Sequence, residues 1–274
     1  MAPRGGRGGR NGPREPLPRP VQVSKKLSWL LRHGAEEEGL TFLAGGFLPV
    51  SLVLANRKFK SLKVTFEEVQ EVVASDEKGR YTLQRTEDVD EGKAEAWLIR
   101  ANQGHSVKLQ DDEGLLRPVT KEGGNLPETA VHGTTHAAWP LIVASGGLKP
   151  MKRNHVHFAS GLPEGFTSLA ETSANSEMTT NGETAAAAPV ISGMRKTSTI
   201  LIFLDLPKAL DAALKFGISD NGVVLTEGNA EGLVPLALFK RVEDRTGLGV
   251  LVEDGKVVKE APESWGKGRG KGKG

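Results

Sequence analysis

Three short stretches of this sequence pair fixed cations with groups able to hold or move a proton. In "LSWLLRHGA", Arg32 and His33 follow directly on the apolar Leu30 and Leu31. In "LIRANQGHS", Arg100 is followed by Gln103, His105 and Ser106. In "GLKPMKRNHVHFA", Lys152, Arg153, His155 and His157 lead into an alternating apolar run. Each stretch borders an apolar element and reads as a cationic site without a carboxylate partner, with Glu36, Glu37 and Glu38 following the first beyond Gly34. Arginine stays protonated and cannot serve as acid or base. Its use is to grip phosphate through charge-assisted, often bidentate hydrogen bonds. Histidine is the one side chain here that titrates near neutrality.

Other chemistries lack their anchors. The chain has no cysteine, which removes disulfides and thiolate metal sites. His132 and His136 are four apart in "HGTTH", but that run lacks the glutamate of a zinc helix and Gly133 argues for a loop, so no metal is expected. There is no G-x-S-x-G elbow for a serine hydrolase and no phosphate-binding glycine loop ahead of a helix.

The elements that must position these residues fall into two textures. In the first, "SKKLSWLLRHGA" reads as a helix capped by Ser24, with Gly34 breaking it. "LPVSLVLAN" reads as a second helix. "TFEEVQEVVAS" reads as a third, with Thr65 and Glu68 spaced as a capping box and Phe66, Val69 and Val73 on one face. Strands follow at Tyr81–Gln84 and Ala96–Ile99. Three helices and a hairpin predict a winged-helix lobe over 21–110. A polar connection spans 111–128. The second texture, 129–245, is short strands with one or two helices: "TAVHGTT", "HVHFA", "STILIFLDL", "GVVLTEG" and "LVPLALFKRV" as strands, "HAAWPLIVASGGL" and "KALDAALKFG" as helices. A Ser-, Thr- and Ala-rich run at about 164–192 reads as an insertion. The fold class expected is α+β.

The net charge of +2 hides an asymmetry. Residues 1–20 carry five arginines against Glu15, and the last nine residues carry three lysines and one arginine, so each end is +4 and the middle is −6. The glycine-rich basic stretches at 1–20 and in the last nine residues read as disordered tails suited either to solubility or to contact with RNA phosphates, the second ending a tail that runs over 246–274. No apolar run is long enough to cross a bilayer and no signal peptide is visible. A cytoplasmic or nuclear location and no membrane partner are expected.

Taken in order, "LSWLLRHGA", "LIRANQGHS", "AVHGTT", "GGLKPMKRNHVHFA" and "ISDNGVVLTEG" resemble the NAD-dependent tRNA 2′-phosphotransferase family, with a fungal-like member expected. The likeness runs from about Ser24 to Val242, skipping the insertion. It implies an ADP-ribosyltransferase-like second lobe and a protein that acts on tRNA carrying an internal 2′-phosphate, while solubility and charge suggest a monomer. NAD would be consumed as co-substrate, without a metal. It also implies a catalytic tetrad of Arg32, His33, Arg100 and Arg153. His132, Gly133, Thr134, Ser219 and Asn221 are implied on the NAD side; Gln103, His105, Ser106 and Lys152 are placed on the RNA or phosphate side. The implied reaction joins the RNA phosphate to ADP-ribose with loss of nicotinamide. The ADP-ribose 2″-hydroxyl then attacks phosphorus, giving RNA 2′-hydroxyl and ADP-ribose 1″,2″-cyclic phosphate. Two other functions fit the same residues: ADP-ribosyl transfer to another phosphate acceptor, and a non-catalytic winged-helix RNA-binding protein.

Overall fold

A computed structural model describes residues 15–86, 90–109, 114–169 and 192–266. The expected tail at 1–14, most of the insertion and the last eight residues lie outside them.

The first helix, α1 (Arg19–Trp29), starts earlier than expected. Pro18 is its N-cap and Pro20 sits in its first turn, where a missing N–H costs nothing. Ser24 therefore does not cap. Its hydroxyl and that of Ser28 lie 3.1 and 2.5 Å from the Tyr81 hydroxyl, tying the helix to the sheet behind it. Val23, Leu27, Leu30 and Leu31 are fully buried at helical spacing. The helix then widens into a π-helical turn over Leu30–Gly34, the turn that carries Arg32 and His33. The helix ends at Gly34 as expected, with Ala35 as its C-cap still at right-handed helical angles. Glycine is required there because a Cβ would lie 2.3 Å from the Trp29 ring.

Three short helices complete the layer: α2 (Val50–Ala55), α3 (Arg57–Leu62) and α4 (Phe66–Ala74). The capping box of α4 forms as expected, with Glu68 N–H donating to Thr65 Oγ1 and Thr65 N–H donating to Glu68 Oε2. Its buried face is Phe66, Val69 and Val72, with Val73 packed at the margin. These helices cover a three-stranded antiparallel sheet of β1 (Leu48–Pro49), β2 (Tyr81–Arg85) and β3 (Trp97–Ala101) in the order β1-β3-β2.

The second lobe is built on a nine-stranded, wholly antiparallel sheet. Its strands are β4 (Arg117–Val119), β5 (Val131–Thr134), β7 (Val156–Ala159), β8 (Ile200–Leu204), β9 (Phe216–Ile218), β10 (Val223–Thr226), β12 (Phe239–Asp244), β13 (Gly249–Glu253) and β14 (Lys256–Val257). β6 (Gly147–Leu148) pairs with β11 (Val234–Pro235) beside it. Helices α5 (Trp139–Ala144) and α6 (Leu206–Asp211) cover one face, over a core that includes Phe158, Ile200, Ile202, Phe239 and Leu251. The fold is thus α+β.

Three boundaries move. The connection 111–128 contains β4, which closes one edge of the large sheet. The expected tail 246–274 contains β13 and β14, which close the other. "LVPLALFKRV" is not one strand, because Pro235 and a single 3₁₀ turn at Leu236–Leu238 separate β11 from β12. Among the described residues, no helix is long and apolar enough to cross a membrane.

Gly34→Ala should lower unfolding stability by ~2 kcal/mol, since the added methyl must displace a packed indole. Denaturant titration checks this, and an unchanged midpoint would show that Trp29 is free to move.

Candidate anion-binding site between the lobes

Backbone hydrogen bonds gather the three cationic stretches at one place. Ser106 N–H donates to the Arg32 carbonyl at 2.9 Å, and Asn154 N–H donates to the His105 carbonyl at 3.0 Å. Asn154 Nδ2 also donates to the Val107 carbonyl at 2.8 Å. One segment, 105–107, therefore fixes the π turn on one side and the Arg153–Asn154 turn on the other.

Arg100 leaves β3 buried and heavily tied. Its Nη1 donates to the carbonyls of Gly45 and Gly114, and its guanidinium lies 4.7 Å from the Phe47 ring centroid. Nη2 donates to Asp220 Oδ2 at 2.6 Å. That ion pair corrects the reading of Arg100 as a cation without a carboxylate, and His155 likewise has Glu227 at 4.0 Å. Arg32 keeps the expected character: its Nε and Nη2 are buried with no hydrogen-bond partner among the described residues. Arg100 Nε and the Nε2 atoms of His105 and His157 are in the same condition. Buried donors left open cost free energy unless a ligand meets them. Arg153 is exposed, close enough to act electrostatically on both Arg32 and His33.

The electrostatics separate fixed from neutral groups. Burial, with Arg153 and Arg80 adding to it, lowers Arg32 below the usual guanidinium range, yet it remains charged. Partial desolvation followed by the charge of Arg195 does the same to Arg153. The imidazoles yield instead. Burial and then Arg32 and Arg153 lower His33. Burial drives His105 down to about 4 and His157 to about 3, the surrounding cations assisting. With His33, His105 and His157 neutral, three guanidiniums and one carboxylate leave +2, the complement of a phosphomonoester dianion.

Ser106 has a role the sequence did not suggest. Its Oγ lies 2.8 Å from His33 Nδ1 while its N–H holds Arg32, so one residue orients both members of the pair. Gln103 is half-buried, Lys152 is exposed, and neither shows a partner of its own among the described residues.

A second region lies where β5 and β7 meet. The two strands pair only at Val131 and Ala159, so they splay beyond that point and open a wedge. His132 Nδ1 lies 2.8 Å from the His157 carbonyl, which requires Nδ1–H to donate and leaves Nε2 the unprotonated nitrogen while the ring is neutral. Burial lowers this imidazole too. Gly133 does not present open space, since a Cβ there would meet Ser198 Oγ at 2.5 Å and Met194 Cγ at 2.6 Å. The Thr134 carbonyl accepts from Thr199 N–H. Ser219 and Asn221 are committed to a turn: Ser219 Oγ donates to Asn221 Oδ1, and Asn221 Nδ2 donates to the Lys78 carbonyl of the first lobe. Among the described residues no three His, Cys, Asp or Glu side chains gather to hold a metal ion.

A family model described as RNA 2′-phosphotransferase, Tpt1/KptA family, matches residues 18–228, a span that contains the whole cluster. The chain belongs to that family. It is 39% identical over 238 residues to tRNA 2′-phosphotransferase 1 of Danio rerio, spanning 87% of this chain and 91% of that protein. To tRNA 2′-phosphotransferase 1 of Homo sapiens it is 37% identical over 236 residues, spanning 85% and 80%. To tRNA 2′-phosphotransferase of Saccharomyces cerevisiae it is 33% identical over 226 residues, spanning 82% and 84%. The two vertebrate proteins are the more similar of the three, which gives the fungal-like expectation no support. Within the family span, sequence reasoning named Ser219 and Asn221 and passed over Asp220 between them. The signal was an acid inside a quoted motif, but its partner lies 120 positions away.

Acid should unfold the protein early. Below pH 6.5 the unfolded chain protonates His105 and His157 while the native state does not until about 4 and about 3. Stability should therefore fall with decreasing pH, by ~1.4 kcal/mol per unit for each histidine. Denaturant midpoints at several pH values between 7 and ~4.5 check this, and a flat profile would refute the neutral buried state. Separately, Ser106→Ala should move the imidazole nitrogen signals of His33 toward the mixed tautomers of a free ring. Unaltered signals would mean that something other than Ser106 orients it.

Proposed function

We propose that this protein removes an internal 2′-phosphate from tRNA and transfers it to NAD, releasing nicotinamide and ADP-ribose 1″,2″-cyclic phosphate. The observation that carries the reading is the cluster of Arg32, Arg100 and Arg153, with buried open donors on Arg32 and Arg100 and a net charge of +2. A 2′-phosphomonoester is already anionic at neutral pH, so it needs no general base to become a nucleophile. It needs to be gripped and aimed. That matches a site made of guanidiniums, in which Asp220 is tied to Arg100 and Asp76 to Arg80.

The residues of the β5–β7 wedge fit NAD. His132 and His157 flank it as neutral imidazoles, and His157 Nε2 is a buried polar atom without a partner among the described residues. NAD supplies, when bound, an electrophilic anomeric carbon with a neutral leaving group. His132 and His157 would orient the ribose hydroxyls beside it. Gly133 supports the wedge by letting Ser198 and Met194 pack closely, and Ser219 and Asn221 support it from the turn that carries Asp220. Arg32, Arg100 and Arg153 would then neutralise charge on the phosphoryl oxygens during its transfer. His33 is held neutral, which favours moving a proton at its ring nitrogen over acting as a fixed imidazolium. His105 and Gln103 border the phosphate, with Lys152 at the rim. The order of helices and strands in the first lobe supports a winged-helix reading, and the splayed strands support an ADP-ribosyltransferase-like second lobe.

The test is to incubate the protein with NAD and a short RNA bearing one internal 2′-phosphate. RNA 2′-hydroxyl, nicotinamide and the cyclic phosphate should appear in equal amounts. Arg32→Gln should lower turnover about 100-fold, the loss typical of one transition-state donor. RNA that keeps ADP-ribose as the final product would replace this reading with transfer to a phosphate acceptor, and no use of NAD would remove it.

A further inference from the structure

The loop that leaves β5, residues 135–138, borders the open end of the β5–β7 wedge. The two strands pair only at Val131 and Ala159, so the gap between them lies along residues 132–134 and meets this loop at its far end. Thr135 and Ala137 are exposed. Backbone hydrogen bonds fix the two ends of the loop. Thr199 N–H donates to the Thr134 carbonyl at 2.8 Å, and Trp139 N–H donates to the Thr135 carbonyl at 3.1 Å, with the Trp139 ring buried in the core. Between those ends Ala137 and Ala138 carry only methyl groups. Among the described residues, His136 alone of the four is hydrogen-bonded through its side chain.

Two side chains hold that imidazole, and both lie beyond residue 228, where the family match ends. His136 Nε2 lies 2.6 Å from Asp244 Oδ1, at the end of β12. The Trp265 indole stacks on the ring, 3.9 Å between centroids at 18°. Asp244 cannot shift to follow the loop. It pairs with Ile200 of β8, and its carboxylate is fully buried, accepting from Leu248 N–H at 2.8 Å and from the Thr246 hydroxyl at 2.9 Å. Burial alone would raise Asp244, but hydrogen bonds from His136, Leu248 and Thr246 outweigh it and hold the carboxyl below its usual range. A buried anion depends on each of its donors, so the hold on His136 is directional as well as close. The backbone N–H of His136 adds a third tie, donating to Thr199 Oγ1 at 3.0 Å.

We propose that His136 is a positioning residue for the NAD side of the site. Asp244 and Trp265 clamp its ring, the ring fixes the loop, and the loop keeps the mouth of the wedge formed before the dinucleotide arrives. The inference rests on the phosphotransferase reading for its ligand. A wall that is already ordered need not be ordered at the moment of binding. Loss of the clamp should therefore fall on NAD affinity and spare the phosphate cluster, which stands on the π turn, β3 and the segment 105–107.

Calorimetric titration with two probes separates the two sides without relying on turnover: NAD itself, and a trinucleotide bearing one internal 2′-phosphate. His136→Ala should weaken NAD about tenfold and Trp265→Ala about threefold. His136→Gln can still donate to Asp244 and Trp265→Phe can still stack, so both should stay within about twofold of the unaltered protein. The trinucleotide should bind all of these variants unchanged. In turnover, KM for NAD should rise in step with the lost affinity while kcat stays within about twofold. Amide hydrogen exchange of the free protein should quicken across residues 135–138 in the two alanine variants only. Unchanged NAD affinity in both alanine variants overturns the proposal, as does equal weakening of the two probes, which would mark a general loss of stability. An unaltered protein that binds no NAD, with the exchange effect still present in the alanine variants, would sink the phosphotransferase reading while upholding the hold of His136 on the loop.

Discussion

The Arg100–Asp220 ion pair is the interaction on which the rest of the site depends. It links the end of β3 to the turn between β9 and β10, two segments that share no other element. Thr82 Oγ1 donates to the same carboxylate at 3.4 Å, while Asn221 Nδ2 and Ser192 Oγ both donate to the Lys78 carbonyl. The first lobe is therefore clasped to the second along one short front. Because Asp220 remains partly exposed, water can reach one side of the pair, and its contribution lies in geometry more than in binding energy. It orients a guanidinium that two backbone carbonyls already hold, leaving Arg100 Nε buried without a partner among the described residues.

A cluster of this kind poses a problem of self-repulsion. Three guanidiniums cannot shed their protons, so the imidazoles around them do. The result is a division of labour by chemistry. Delocalised planar cations supply charge that is independent of pH, and neutral histidines supply single donors or acceptors that do not add to the repulsion. The open nitrogens of Arg32, Arg100, His105 and His157 belong to a native state that gives up some stability to hold groups ready for an anion.

Much of this is legible in the sequence, and the parts that are not share a cause. The capping box at Thr65 holds, and "HVHFA" does form a strand, but its expected alternation does not, since all four residues of that strand are buried. Ser24 resembles a cap because serine usually satisfies helix N–H groups; here the Tyr81 hydroxyl, 57 residues on, takes it instead. β13 and β14 are hidden because "GVLVE" is short and sits among charges, and its strand character comes from pairing with β12. β4 exists for the same reason at the other edge, through β9. In the site, residue types are legible and partnerships are not: no spacing rule announces that Arg100 needs Asp220, or that Ser106 serves His33.

The widened turn at Leu30–Gly34 bears on how this chain can vary. A π turn carries one residue more than the α-helical path would, and an α-helix advances about 100° per residue. Excision of a single residue there would restore a regular helix and swing the arginine and histidine about a quarter of a turn around its axis, away from the neighbouring lobe. Leu27, Leu30 and the rest of the packed stripe would stay where they are. Foldability and reactivity are thus set by different parts of one helix, so a lineage could keep the fold while losing the chemistry through one codon.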